Sequence, residues 1–225
     1  KNIKKETSIV LNISIKCAKI SGYNKQRGTR IMVTILGTFG FLLFFLYDWN
    51  SININNRFFK SAFAIGTLLL GMATILMIIK YGNMALVLQF KGLILLILTM
   101  VNVGLLIYTL FFALPFKETY IIEEKNPEVY DKGVYAICRH PGVLWLFFSY
   151  MFLSLLFESK EMMFIGGLFS FWNFLYIIFQ DKYTFMKYFS NYDEYKKHTP
   201  FLIPNRISIL RGIKTLTKRG TADEI

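Results

Sequence analysis

Arg139, His140 and Pro141 close the run Gly133-Val134-Tyr135-Ala136-Ile137-Cys138-Arg139-His140-Pro141, and Gln180-Asp181 follow the next two apolar stretches. A planar guanidinium grips a carboxylate through paired N–H bonds that an ammonium cannot reproduce, so Arg139 could clamp a carboxylate-bearing ligand. A carboxylate at a membrane boundary is retained when it meets a cation or hydrogen-bond donors, so Asp181 could face a cationic group. Plainer roles are open to the same residues. Arg139 and His140 could anchor a helix start by reaching to the headgroups. Tyr135, Tyr192 and Tyr195 could be interfacial aromatics, and Asp181 a solvated charge. Cys17 and Cys138 stand far apart, with no metal-ligand spacing, so two unpaired thiols and no metal site are expected.

The elements that must position these residues are apolar runs. The chain has 225 residues, 54% of them hydrophobic and 18% charged, below the charge share of about a quarter in soluble domains. A bilayer core needs roughly 20 apolar residues in helix. The runs Ile31 to Tyr47, Ser61 to Ile79 and residues 93–114 supply three spans, the last with residues 84–91 as an interfacial extension and Pro115 as its stop. Val143 to Phe157 and Met162 to Phe179 supply two more, linked only by Glu158-Ser159-Lys160-Glu161. So short a link makes these two an antiparallel hairpin, which brings Arg139-His140 and Gln180-Asp181 to one membrane face. Pro141 suits the first turn of its helix, where a missing N–H costs nothing.

Gln180 to Tyr195 reads as an amphipathic helix that lies on the membrane surface or packs on the loop before the hairpin. The expected fold is all-α: a polytopic transmembrane bundle of about five spans with this C-terminal interfacial helix. Residues 1–30 form a basic N-terminal segment, 31–114 three spans, 115–205 the region that carries the polar clusters, and 206–225 a basic, mobile tail. The net charge of +12 fits basic loops that meet anionic lipid; without a basic-aromatic RNA motif or zinc-finger spacing, nucleic acid is not an expected partner. No secretory signal is expected at the start of the chain.

Gly-x-Tyr-x-x-x-Arg-His-Pro over Gly133–Pro141, then a transmembrane hairpin, an acidic position at Asp181, Tyr192-Asp193-Glu194-Tyr195 and Pro200-Phe201-Leu202-Ile203-Pro204 resemble the isoprenylcysteine carboxyl methyltransferase and phospholipid methyltransferase superfamily over roughly residues 130–205. The resemblance implies a membrane enzyme that moves a methyl group from S-adenosylmethionine to a lipid-linked or hydrophobic acceptor, with an isoprenylcysteine-type carboxylate favoured. It carries cofactor binding to Tyr135, Arg139, His140, Pro141 and Asp181, and catalytic roles to Arg139 and Asp181. The chain departs from the pattern twice. Gly142-Val143-Leu144-Trp145 follow Arg-His-Pro where the family has x-Tyr-x-Gly, and the family's glutamate pair falls on Gln180 and Asp181.

S-adenosylmethionine is cytosolic, so the active site is expected to face the cytoplasm from an integral membrane protein. Five spans place that face opposite the N-terminus, although residues 1–30 carry eight basic residues; the two faces hold 11 and 15 of the 26 Lys and Arg, a small bias. A reductase of the sterol-reductase type shares the helical architecture, and a non-catalytic membrane scaffold fits the missing second carboxylate.

Overall fold

The computed structural model describes residues 2–113 and 127–219, with side chains over 26–113 and 127–216, and every regular element among them is helical. Helix α1 (Asn2–Asn53) is followed by α2 (Arg57–Lys60), α3 (Ala62–Tyr81), α4 (Met84–Val87) and α5 (Phe90–Ile107), which runs on into a π-helical turn, Tyr108–Phe112. Beyond the undescribed stretch come α6 (Val134–Ile137), α7 (Pro141–Leu156) and α8 (Lys160–Phe179). A second π turn, Gln180–Thr184, joins α8 to α9 (Phe185–Tyr188); α10 (Tyr192–His198) and α11 (Arg206–Arg219) complete the order. The expected stop at Pro115 lies outside the described residues.

Four stretches are long and apolar enough to cross a membrane: Gln26–Asn53, Arg57–Tyr81, Phe90–Phe112 and Lys160–Tyr188. The remaining apolar helix, α7, has 16 residues, about 24 Å at 1.5 Å per residue against a hydrocarbon core of about 30 Å. Outward-facing side chains such as Leu68, Ile79 and Ile97 are exposed, as lipid-facing positions must be.

Local chemistry sets the boundaries. Asn50 turns the chain at the end of α1, donating from Nδ2 to the Asn56 carbonyl at 3.0 Å while its Oδ1 accepts the Asn56 N–H at 3.0 Å. Helices α1 and α3 touch through Gly40 and Gly66; a Cβ on Gly66 would sit 2.7 Å from the Gly40 carbonyl oxygen. Between α7 and α8, Ser159 Oγ accepts the Met162 N–H at 3.3 Å, and Tyr150 packs on Gly166 and Phe169. The two helices therefore form the expected antiparallel hairpin. The core lies where α1, α3, α7 and α8 meet, around Phe41, Met77, Tyr150, Ile165 and Phe169, and the hydroxyls of Thr74 and Tyr150 are 2.7 Å apart within it.

The C-terminal quarter departs from expectation in two places. Instead of one helix over Gln180 to Tyr195, α8 continues through the π turn to Tyr188, the chain breaks, and α10 begins at Tyr192. This region packs on the segment before the hairpin, with the Ser190 N–H donating to the Pro127 carbonyl at 3.1 Å and the Val129 N–H to Asn191 Oδ1 at 2.8 Å. The second departure is α11, which occupies most of the expected mobile tail. Its start is a reciprocal cap: the Ser208 N–H donates to Asn205 Oδ1 at 2.8 Å, and the Asn205 N–H to Ser208 Oγ at 3.1 Å.

Candidate functional site

The site forms where the open end of the hairpin meets the π turn. The Arg139 N–H donates to the Pro200 carbonyl at 2.9 Å, so the strand-like residues before α7 are tied to the Pro-bounded stretch. Pro141 takes the first helical position of α7. Asp181 is presented by the π turn, a geometry that often accompanies functional sites because it rotates side chains off the α-helical register.

Arg139, His140 and Asp181 come together. Arg139 Nη1 lies 2.9 Å from Asp181 Oδ1 and 3.2 Å from Oδ2, and His140 Nε2 lies 3.2 Å from Oδ1. Tyr192 donates its hydroxyl to the same oxygen at 2.6 Å. A carboxylate only accepts, so all three neighbours are donors to it. The guanidinium grips Asp181 with one nitrogen rather than its fork, and its buried Nε–H has no partner. The Arg139 plane lies over Phe201, 5.3 Å from the ring centroid. His140 stacks on Phe185 at 5.8 Å and meets the edge of Phe201 at 5.2 Å.

Burial lowers the His140 pKa below 6.5, with the Asp181 hydrogen bond opposing part of that shift. The imidazole is therefore neutral at neutral pH and donates from Nε2. Burial raises the Tyr192 and Tyr195 hydroxyls well above 10, Asp181 adding to the effect at Tyr192, so both stay protonated. Burial likewise pushes the unpaired Cys138 thiol up to about 11, which makes it a poor nucleophile.

Tyr135 is held differently from its expected companions. Its hydroxyl donates to the Thr109 carbonyl at 2.7 Å, and its own carbonyl accepts the Tyr195 hydroxyl at 2.6 Å. It locks the 134–137 turn to the end of α5, while Arg139 and His140 carry the contact with Asp181.

Tyr192, Phe201 and Asp48 were not among the expected site residues. Asp48 is 5% exposed, with Tyr176 and Gln180 the side chains that approach its carboxylate. Gln180 Nε2 donates to the Tyr176 hydroxyl at 3.0 Å, and Asp48 Oδ2 has no hydrogen-bond partner. The signal was present: an acid only five residues inside the end of a 28-residue apolar helix is costly there and invites a functional reading. Among the described residues, no cluster of His, Cys, Asp and Glu has the composition to hold a metal ion.

Comparison with protein-family models, with curated proteins and with solved structures returned no match.

Proposed function

We propose that the chain is a membrane methyltransferase that moves a methyl group from S-adenosylmethionine to a lipid-linked or hydrophobic acceptor, with an isoprenylcysteine-type carboxylate favoured. In this reading the short helix α7 is a fifth crossing and the site faces the cytoplasm. The observation that carries the reading is the meeting of Arg139, His140 and Asp181 at one end of the hairpin, since the family resemblance assigns these residues to one pocket.

The donor set suits such a cofactor. The partnerless Arg139 Nε–H is an unspent donor on a buried guanidinium, suited to the cofactor's carboxylate. The bound cofactor supplies an electrophilic methyl carbon on a sulfonium. Arg139 holds and orients the carboxylate end, and Phe201 and Phe185 exclude water around it. Asp181, already occupied by three internal donors, is a positioning residue: it fixes the guanidinium plane and keeps His140 as a donor.

A second reading has its own observation. The same three donors leave Asp181 fully satisfied within the chain, which is what a structural cluster in a non-catalytic membrane scaffold requires.

Equilibrium binding of S-adenosylhomocysteine and of reduced nicotinamide dinucleotide to the chain in nanodiscs separates the readings, together with radiolabelled methyl transfer to extracted lipids. The methyltransferase reading expects S-adenosylhomocysteine to bind and Arg139→Lys to weaken it at least tenfold, because a charge-assisted hydrogen bond is worth about 1.5–3 kcal/mol. Binding of the nicotinamide alone would identify a reductase, and binding of neither would leave the scaffold.

A further inference from the structure

Helix α11 is built with its polar side inward. Ser208 and Gly212 are buried, and Arg211 and Thr215 are half-buried, a spacing that makes one helical face. That face docks through polar and close backbone contacts. Thr215 Oγ1 accepts the Gly133 N–H at 2.9 Å, and Arg211 Nη2 donates to Thr199 Oγ1 at 2.5 Å. A Cβ on Gly212 would lie 2.3 Å from Ile137 Cγ1, so a larger residue could not sit this close to the 134–137 turn.

The opposite face presents Ile209, Leu210 and Ile213, of which Leu210 and Ile213 are 60% and 54% exposed. A contiguous apolar face turned outward marks a surface that meets something other than water. Arg206 and Lys214 are exposed along it, and the helix carries five basic residues and no acid. The aliphatic stems of such side chains lie along apolar surface while their charges reach anionic groups. The helix rests by its polar face on the 134–137 turn, a few residues before α7, the shorter apolar helix of the hairpin. In a two-fold pairing with a second copy, the same basic face would meet itself; an anionic bilayer complements both its charge and its apolar residues.

We propose that α11 is an interfacial helix, bound to the protein by its polar face and seated by its apolar face in the headgroup region of an anionic bilayer. The reading depends on the membrane character of the chain and not on its catalytic activity.

The test uses the full chain with Cys17→Ser and Ile213→Cys, an environment-sensitive fluorophore at position 213, and vesicles of phosphatidylcholine with or without phosphatidylserine. The expected result is quenching by brominated lipid chains and protection from aqueous iodide, both stronger with phosphatidylserine. A label on Asp193→Cys, at a largely exposed position, reports the opposite. Arg206→Gln with Lys214→Gln weakens the phosphatidylserine-dependent part by about fivefold per cation removed. Iodide access at position 213 without quenching by lipid in either vesicle overturns the proposal. So does protection from both quenchers that disappears when the protein is diluted in lipid, because a second copy would then be the occupant. An unchanged phosphatidylserine effect in the double variant overturns the electrostatic part.

Discussion

Replacing Asp181 with Asn keeps the shape of the side chain and removes its charge, and the structure sets the expected cost. The carboxylate holds Arg139 at 2.9 Å, His140 at 3.2 Å and Tyr192 at 2.6 Å. The Arg139 and Asp181 side chains are 11% and 12% exposed, so solvent screens the pair little. Removing one member of a buried pair leaves the other charge uncompensated, at about 3–5 kcal/mol. Counting three charge-assisted hydrogen bonds at about 1.5–3 kcal/mol each gives more, but contacts within one network do not add. The amide oxygen still accepts from Tyr192 and returns about 1 kcal/mol. The net expectation is a loss of about 3 kcal/mol, a large share of a total stability that is typically about 5–15 kcal/mol. Reversible unfolding of the full chain in mixed micelles measures it, and Arg139→Met combined with Asp181→Asn closes a double-mutant cycle. The double variant should be more stable than Asp181→Asn alone, because no unpaired guanidinium remains. A loss under about 1 kcal/mol for Asp181→Asn, or a coupling energy below about 0.5 kcal/mol, refutes the reasoning.

Acid should weaken the same cluster: unfolded His140 takes up its proton at about 6.5 while the buried imidazole resists it, so its contribution is complete above that pH and declines as pH falls through it. Unfolding titrations at decreasing pH should show that slope in the native chain and a flatter one in His140→Gln; identical slopes would exclude the assignment. Gly66→Ala should cost about 1–3 kcal/mol by overpacking, since its Cβ would meet the Gly40 carbonyl oxygen at 2.7 Å and the Phe44 ring at 2.8 Å. Gly71→Ala, with no atom within 4 Å of the added carbon, should be neutral or stabilising in the same assay. Asp48→Asn should change stability by less than about 1 kcal/mol, in contrast to Asp181→Asn.

The hairpin and the meeting of its ends were legible because they rest on two strong signals: long uncharged runs and a four-residue link between them. That Asp181 faces Arg139 follows from the same logic. What escaped the sequence depends on rotation and on small caps. The π turn advances Gln180–Thr184 off the α-helical register, so periodicity alone does not show that Gln180 approaches Asp48 while Asp181 bonds Arg139. The resemblance grouped Tyr135 with Arg139 in one pocket, yet the intervening turn sends its hydroxyl to Thr109. Helix α11 was obscured by its composition. Five basic residues over Arg206–Arg219 suggested a basic, mobile tail, whereas the Asn205 and Ser208 cap and Gly212 were the informative positions.

The contrast between the two buried aspartates turns on what each meets. Both lie beside the same π turn and both are nearly enclosed. Asp181 is surrounded by donors, one of them a permanent cation. Asp48 is approached by the neutral side chains of Tyr176 and Gln180, has no cation among its described ion-pair partners, and keeps one oxygen without a hydrogen bond. A charge on Asp48 would bear the desolvation cost with no counter-charge to offset it. Asn at position 48 keeps an acceptor oxygen for Tyr176 and Gln180 and puts a neutral amide where the partnerless oxygen stands, so the native contacts survive and little is lost. At position 181 the same change strips a guanidinium of its counter-charge. If Asp48→Asn proved as destabilising as Asp181→Asn, the Asp48 carboxylate would have to be neutralising a cation in the folded bundle, and the view that its neighbours are wholly neutral would fall.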